Sequence, residues 1–137
     1  MTKKLIAFGL IMLGTAGISA AAPVNPELRS KFETACLSME GAEFEAAQEK
    51  DNYGRLIDKC QFAFEGGPVE FLPKSDEGIK NARDYSNFQN KIFDSMDNAI
   101  GVSWQDLESE RYILLKGGHG ASERGMVEVS FMNEGEY

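Results

Sequence analysis

Residues 111–132 decide the fold class, and they read RYILLKGGHGASERGMVEVSFM. The apolar run 111–116 predicts one β-strand, and the alternation of apolar and polar residues within 126–132 predicts a second. Between them, residues 117–125 hold four glycines in nine positions, which is typical of a hairpin loop longer than the tight two-residue type. An isolated hairpin is only marginally stable in water, so these strands must pack on the rest of the chain.

The region before the hairpin predicts the longest helix, over about residues 75–99. Ser75 is a favourable N-cap, and Gly101 is a favourable stop. Apolar residues recur there every three or four positions and therefore share one helix face. They are Ile79, Ala82, Tyr85, Phe88, Ile92, Met96 and Ile100. Ser103 then begins a capping-box pattern that predicts one further helical turn.

Shorter segments fill the first half of the chain. Asn25 can cap a helix whose apolar face runs over residues 28–39. Residues 42–50, rich in Ala and Glu, favour a second helical segment, and an apolar stripe over 53–64 favours a third. The segment 69–72 lies between two prolines and predicts either an edge strand, as a third strand beside the hairpin, or a docked loop.

Together these elements predict an α+β fold, namely a mainly helical small domain of three to four helices with a C-terminal antiparallel β-hairpin packed on the helices. The chain has two cysteines, Cys36 and Cys60, both on predicted buried helix faces. In an oxidising compartment such a pair favours one helix-to-helix disulfide. Closing a loop of about 25 residues would stabilise the fold by about 3–4 kcal/mol in the chain-entropy model.

The N-terminus predicts export. Lys3 and Lys4 precede an apolar run and then small residues, the order of a secretory signal peptide. The apolar run is shorter than the roughly 20 residues that span a bilayer, although an N-terminal membrane anchor is the alternative. We expect cleavage after Ala21, so that 1–21 is a signal peptide and 22–137 is one exported domain without stable membrane insertion. The periplasm is the expected location, with full secretion as the second possibility.

The charge balance limits the class of partner. The chain has 14 basic and 22 acidic residues, a formal charge of −8. Loss of the signal peptide removes two lysines, which leaves 12 basic and 22 acidic residues and a charge of −10. Nucleic-acid binding needs a positive surface, so this acidic protein is not expected to bind nucleic acid. A basic protein partner is favoured instead, because opposite charge speeds association.

Few residues suit catalysis. The single histidine, His119, excludes a multi-histidine metal site, and no nucleotide-binding, zinc-protease or calcium-loop motif is present. We therefore expect no metal and no cofactor. A Cys60–His119 dyad, in the general order of small cell-wall peptidases, is the enzymatic alternative, and it needs a free thiolate. The disulfide with Cys36 would exclude it, so no catalytic residue is predicted.

The sequence favours a small periplasmic binding protein. We expect an inhibitor or immunity protein that neutralises an exported toxin or cell-wall hydrolase, with the glycine-rich loop as the contact. The predicted binding residues are His119, Ser122, Glu123 and Arg124. A structural or accessory cell-envelope protein is the alternative of another class, and the oligomeric state stays open.

Overall fold

The computed structural model describes residues 25–72, 74–118 and 120–134. The expected signal peptide, residues 1–21, and the expected contact residue His119 lie outside these ranges. The described residues form a mixed α+β fold with three α-helices, one 3₁₀ turn and a four-stranded antiparallel sheet. In chain order they are α1 (Pro26–Leu37), β1 (Ala42–Glu45), β2 (Leu56–Ala63), α2 (Asp76–Ile100), α3 (Trp104–Ser109), β3 (Tyr112–Lys116), the 3₁₀ turn (Ser122–Arg124) and β4 (Met126–Asn133).

The helix ends follow the capping chemistry of the sequence. The side chain of Asn25 accepts backbone N–H groups at the start of α1, and Ser75 accepts the N–H of Gly78 at the start of α2. Gly101 ends α2 with φ of 65°, a left-handed conformation that favours glycine. Ser103 caps α3 by accepting the N–H of Asp106. The helices predicted after Asn25, over about residues 75–99 and after Ser103 are therefore confirmed as α1, α2 and α3.

The sheet is larger than one hairpin. Its strand order is β1-β2-β4-β3, and all neighbouring strands are antiparallel. The C-terminal hairpin of β3 and β4 forms as predicted, but β4 also pairs with β2 along eight residues, from Leu56 opposite Asn133 to Ala63 opposite Met126. The hairpin is thus half of a continuous sheet, while the segment 69–72 forms no strand and is a docked loop.

Two expected helical segments are wrong. Residues 42–45 form β1, because Ala42 and Phe44 face the helices while the alternating Glu43 and Glu45 face outward. Residues 56–63 form β2, in which Asp58, Cys60 and Phe62 are buried at alternate positions. The buried carboxylate interrupts the apolar alternation, so the period of two is not evident from hydrophobicity alone.

One face of the sheet packs against α1 and α2. Phe32 of α1 stacks on Phe131 of β4 at 5.1 Å between ring centroids, and Phe88 of α2 lies edge-on to Phe62 of β2 at 6.3 Å. The predicted disulfide is confirmed, but it joins Cys36 on α1 to Cys60 on β2 rather than two helices. Their Cα atoms are 5.8 Å apart, so the helix is covalently attached to the centre of the sheet.

A partly buried ion pair completes the attachment of α1. Arg29 donates two hydrogen bonds to the carboxylate of Asp58, Nε to Oδ2 at 3.0 Å and Nη2 to Oδ1 at 2.9 Å. Oδ1 of Asp58 also accepts the backbone N–H of Ala47 at 2.8 Å, so the loop after β1 is held by the same carboxylate. Asp58 is buried, and this neutralisation explains how an aspartate lies on the helix-facing side of a central strand.

Candidate functional site

The loop after β2 lies against the 3₁₀ turn of the β3–β4 connection. Val69 is buried, and its backbone N–H donates to the carbonyl of Ser122 at 2.9 Å. Gly125 has φ of 71°, and a Cβ there would lie 3.1 Å from the carbonyl carbon of Gly67. Any larger residue at position 125 would therefore both strain the backbone and push the two segments apart. The tight approach fixes residues 69–72 beside the predicted contact loop.

Two large apolar side chains are exposed at this junction. Phe71 is 51% exposed and Leu72 is 84% exposed. A surface cavity of about 380 Å³ is lined by Phe71, Leu72, Val69, Glu70, Ser122 and Glu123. We call Phe71, Leu72, Ser122 and Glu123 the Phe71–Leu72 patch. It combines an apolar centre with hydroxyl and carboxylate groups from a different part of the chain.

Phe71 rests on a buried tyrosine. Its ring lies edge-on to the ring of Tyr85 on α2, with 5.4 Å between centroids. The hydroxyl of Tyr85 donates to the carbonyl of Met126 at 2.9 Å. Burial, followed by the nearby charge of Glu128, raises the pKa of Tyr85 above its ordinary value, so its hydroxyl stays protonated and keeps this hydrogen bond. The ring under Phe71 is therefore attached to β4 through this hydrogen bond.

The buried carboxylate of Glu128 lies against the glycine-rich loop, next to Gly118 and Arg124. Glu128 is almost fully buried and accepts a hydrogen bond from Nε2 of Gln61 at 2.8 Å on Oε2. Nη2 of Arg124 lies 3.7 Å from the same oxygen, although half of the Arg124 side chain is exposed. A Cβ on Gly118 would overlap the Glu128 carboxylate, so any larger residue at position 118 requires this buried carboxylate to move.

Three of the four predicted contact residues are described. Ser122, Glu123 and Arg124 form the 3₁₀ turn, in which Glu123 and Arg124 are exposed and Ser122 is half-buried. The structure brings Ser122 and Glu123 together with Phe71 and Leu72, which sequence reasoning did not assign to a site. A sequence signal exists, because these apolar residues precede Pro73 in a segment that prolines exclude from the interior of a sheet.

The disulfide bears on the enzymatic alternative. Sγ of Cys60 is bonded to Sγ of Cys36, so in this structure residue 60 has no thiolate with which to attack a substrate. Among residues 25–72, 74–118 and 120–134, no group of three His, Cys, Asp or Glu side chains is placed to hold a metal ion. Within the same ranges, no helix is long and apolar enough to cross a membrane.

Three comparisons with known proteins found no similar protein. The chain matches no protein-family model. Neither the search of curated proteins nor the search of solved structures gave a match. The function is therefore argued from the chemistry of this chain's own surface.

Proposed function

We propose that this protein is a small exported binding protein, an inhibitor or immunity protein that neutralises a basic exported toxin or cell-wall hydrolase by protein–protein contact. The contact is the Phe71–Leu72 patch. The observation that carries the proposal is the 84% exposure of Leu72 beside the half-exposed Phe71, whose ring packs on buried Tyr85. Contiguous exposed apolar surface marks interaction sites, whereas scattered single apolar side chains do not.

The energetics favour a contact with an apolar cleft. Burying a leucine or phenylalanine side chain contributes about 1.5–3 kcal/mol. Phe71 and Leu72 are two such side chains, and phenylalanine is one of the residue types enriched at the core of protein–protein interfaces. Because Val69 and Tyr85 hold the segment in place, little conformational entropy is lost when a partner binds.

Charge supports the choice of a basic partner. Glu70 and Glu123 are both exposed at the margin of the patch, and the mature chain is expected to carry a charge of −10. The negative electrostatic field of these groups raises the rate of association with a cationic protein. Added salt screens the field, so the rate should fall as the salt concentration rises. The disulfide supports export through the expected signal peptide, residues 1–21, because structural disulfides persist in oxidising compartments.

The test is capture followed by inhibition. The mature protein, immobilised through its C-terminus, is exposed to periplasmic extract at low and at high salt. We expect a basic hydrolase or toxin to be retained at low salt and its activity to be lost at one equivalent of added protein. Retention of an envelope assembly without any change in activity would support the accessory alternative and contradict inhibition.

A matched pair of variants locates the contact. Leu72→Ser removes the most exposed apolar side chain of the patch, and Leu37→Ser removes one of comparable exposure, 58%, on α1. We expect the first to weaken inhibition by about tenfold or more and the second to have little effect. Equal inhibition by wild type and Leu72→Ser would show that the patch is not the contact.

A further inference from the structure

The cavity at the Phe71–Leu72 patch is formed by two segments that are far apart in the chain. The backbone N–H of Val69 donates to the carbonyl of Ser122 at 2.9 Å, which joins the two segments. The next residue on each segment is a glutamate, Glu70 on one and Glu123 on the other. Both glutamates line the same cavity of about 380 Å³. The fold therefore brings two carboxylates to one concave surface.

Neither glutamate is neutralised within the part of the chain that the structure describes. No ion pair there includes Glu70 or Glu123, and both side chains are exposed. The guanidinium of Arg124, the residue after Glu123, lies 3.7 Å from the buried carboxylate of Glu128. Lys74 lines a second cavity together with Glu70 but forms no ion pair with it. Both carboxylates are therefore accessible to a cation from another molecule.

An aromatic ring and an aliphatic side chain lie beside these carboxylates. Phe71 lines the cavity and is 51% exposed, and its ring is positioned by an edge-on contact with Tyr85. Leu72, 84% exposed, lines the same cavity. A cation is attracted to the face of an aromatic ring, and the methylene groups that carry the cation pack on apolar side chains. The lining therefore suits a side chain with a long apolar stem and a cationic end.

We propose that this cavity binds an arginine side chain of the basic partner protein. The inference rests on the proposed function and names the chemical group that the contact surface recognises. A guanidinium carries five N–H donors in a planar fork, is weakly hydrated and stacks on aromatic rings. The carboxylates of Glu70 and Glu123 and the hydroxyl of Ser122 supply acceptors, and Phe71 supplies the ring. A lysine ammonium is a compact, strongly hydrated charge and matches this lining less well.

Other occupants are disfavoured by the same lining. The two carboxylates repel an anion. A wholly apolar side chain would cover both carboxylates and leave them without a partner, which is costly. A metal ion needs more ligands than the cavity offers, and within residues 25–72, 74–118 and 120–134 no group of three metal-binding side chains is present.

The test uses three blocked tripeptides that differ in one side chain. Each has leucine at both ends and arginine, citrulline or lysine in the middle, and citrulline has nearly the shape of arginine without its charge. The readout is the change in backbone amide chemical shifts of the isotope-labelled mature protein. We expect the arginine peptide to shift the amides of residues 69–72 and 122–124 and to bind about tenfold more tightly than the citrulline peptide. Equal binding of these two peptides, or shifts confined to other residues, would overturn the proposal. Binding of the lysine peptide as tight as that of the arginine peptide would overturn the choice of a guanidinium.

A charge-matched pair of double variants tests the two carboxylates. Glu70→Gln with Glu123→Gln removes two charges from the cavity. Glu40→Gln with Glu108→Gln removes two charges from exposed sites after α1 and within α3. We expect the first pair to weaken binding of the arginine peptide by about tenfold and the second by less than about twofold. Equal effects would show that net charge attracts the peptide, and the cavity assignment would then be wrong.

The arginine assignment and the proposed function can fail separately. If Leu72→Ser weakens inhibition of the captured partner but the arginine peptide leaves residues 69–72 and 122–124 unshifted, the contact surface is supported and the arginine assignment is refuted. If the arginine peptide binds as expected but no basic protein is captured, the cavity assignment is supported and inhibition is refuted. Concentration-dependent shifts of the same amides without peptide would show that a second copy of the chain occupies the cavity, which contradicts the proposal.

Discussion

Removal of the Cys36–Cys60 disulfide should cost a large share of the stability of this fold. The bridge joins residues separated by 24 positions. In the chain-entropy model a loop of that size stabilises the folded state by about 3.5 kcal/mol at 25 °C. With the unfolding entropy typical of a domain this size, the loss should lower the melting temperature by about 15 °C. Stabilities of small domains are about 5–15 kcal/mol, so the fold should survive but be much weakened.

The perturbation is best made in two ways. A reducing agent opens the bridge in the wild type and keeps both sulfur atoms, whereas Cys36→Ala with Cys60→Ala also removes them. Both cysteines are fully buried, so the double variant should lose about 1 kcal/mol more for each vacated sulfur position. The difference between the two measurements separates loop closure from packing.

The assay is urea denaturation followed by two probes. The single tryptophan, Trp104, stacks on Phe93 and reports on α2 and α3, while far-ultraviolet circular dichroism reports on the whole fold. We expect coincident transitions, with reductant lowering the midpoint of the wild type and leaving the double alanine variant unchanged. An unchanged wild-type midpoint under reductant would refute the argument that the bridge stabilises the fold.

Three further outcomes can be measured with the same instruments. Gly118→Ala should destabilise the fold by about 1–3 kcal/mol because its Cβ overlaps the Glu128 carboxylate, and the loss should shrink when Glu128→Ala is also present. Arg29→Met leaves Asp58 buried without its cationic partner and should cost about 3 kcal/mol in urea titrations, the low end for a broken buried pair because Arg29 is 30% exposed, while Asp58→Asn should cost less. Burial raises the pKa of Tyr85, and Glu128 adds to the effect, so the tyrosine's contribution is complete below its unfolded pKa and is lost as pH rises through the folded value. Above pH 10, the free energy of unfolding should therefore fall more steeply in the wild type than in Tyr85→Phe, and parallel curves would contradict this.

The parts of the fold that sequence predicted are those with local signals. Helix α2 has an apolar face of regular period, a serine cap and a terminal glycine, and all three act within the helix itself. The hairpin of β3 and β4 has strand-forming residues on both sides of a glycine-rich loop. The cysteine pair was predictable because the number of cysteines is two.

The errors have a common cause in long-range partners. β2 contains Asp58 at a buried position, which is tolerable only because Arg29 on α1 neutralises it. The residues of β1 have good helix propensity, but their pairing with β2 outweighs that preference. A partner 29 positions away is not visible in a local pattern.

The candidate site also combines residues that the sequence predicted with a proximity that only the fold creates. Ser122, Glu123 and Arg124 were predictable as exposed residues of a loop. Their proximity to Phe71 and Leu72 depends on the hydrogen bond from Val69 to Ser122 and on the close approach of Gly125 to Gly67. Both contacts span more than fifty residues of chain and form only in the folded state.

The sequence alone determined the α+β class, the start of α1, both ends of α2, the C-terminal hairpin and the cysteine pair, because each depends on residues close in the chain or on simple composition. Tertiary structure decided that β2 lies at the centre of the sheet, that the disulfide joins a helix to a strand, and that Phe71 and Leu72 lie beside the contact loop. These features depend on the pairing of buried charges and backbone groups from distant segments, and the free energy of that pairing exists only when the chain is folded.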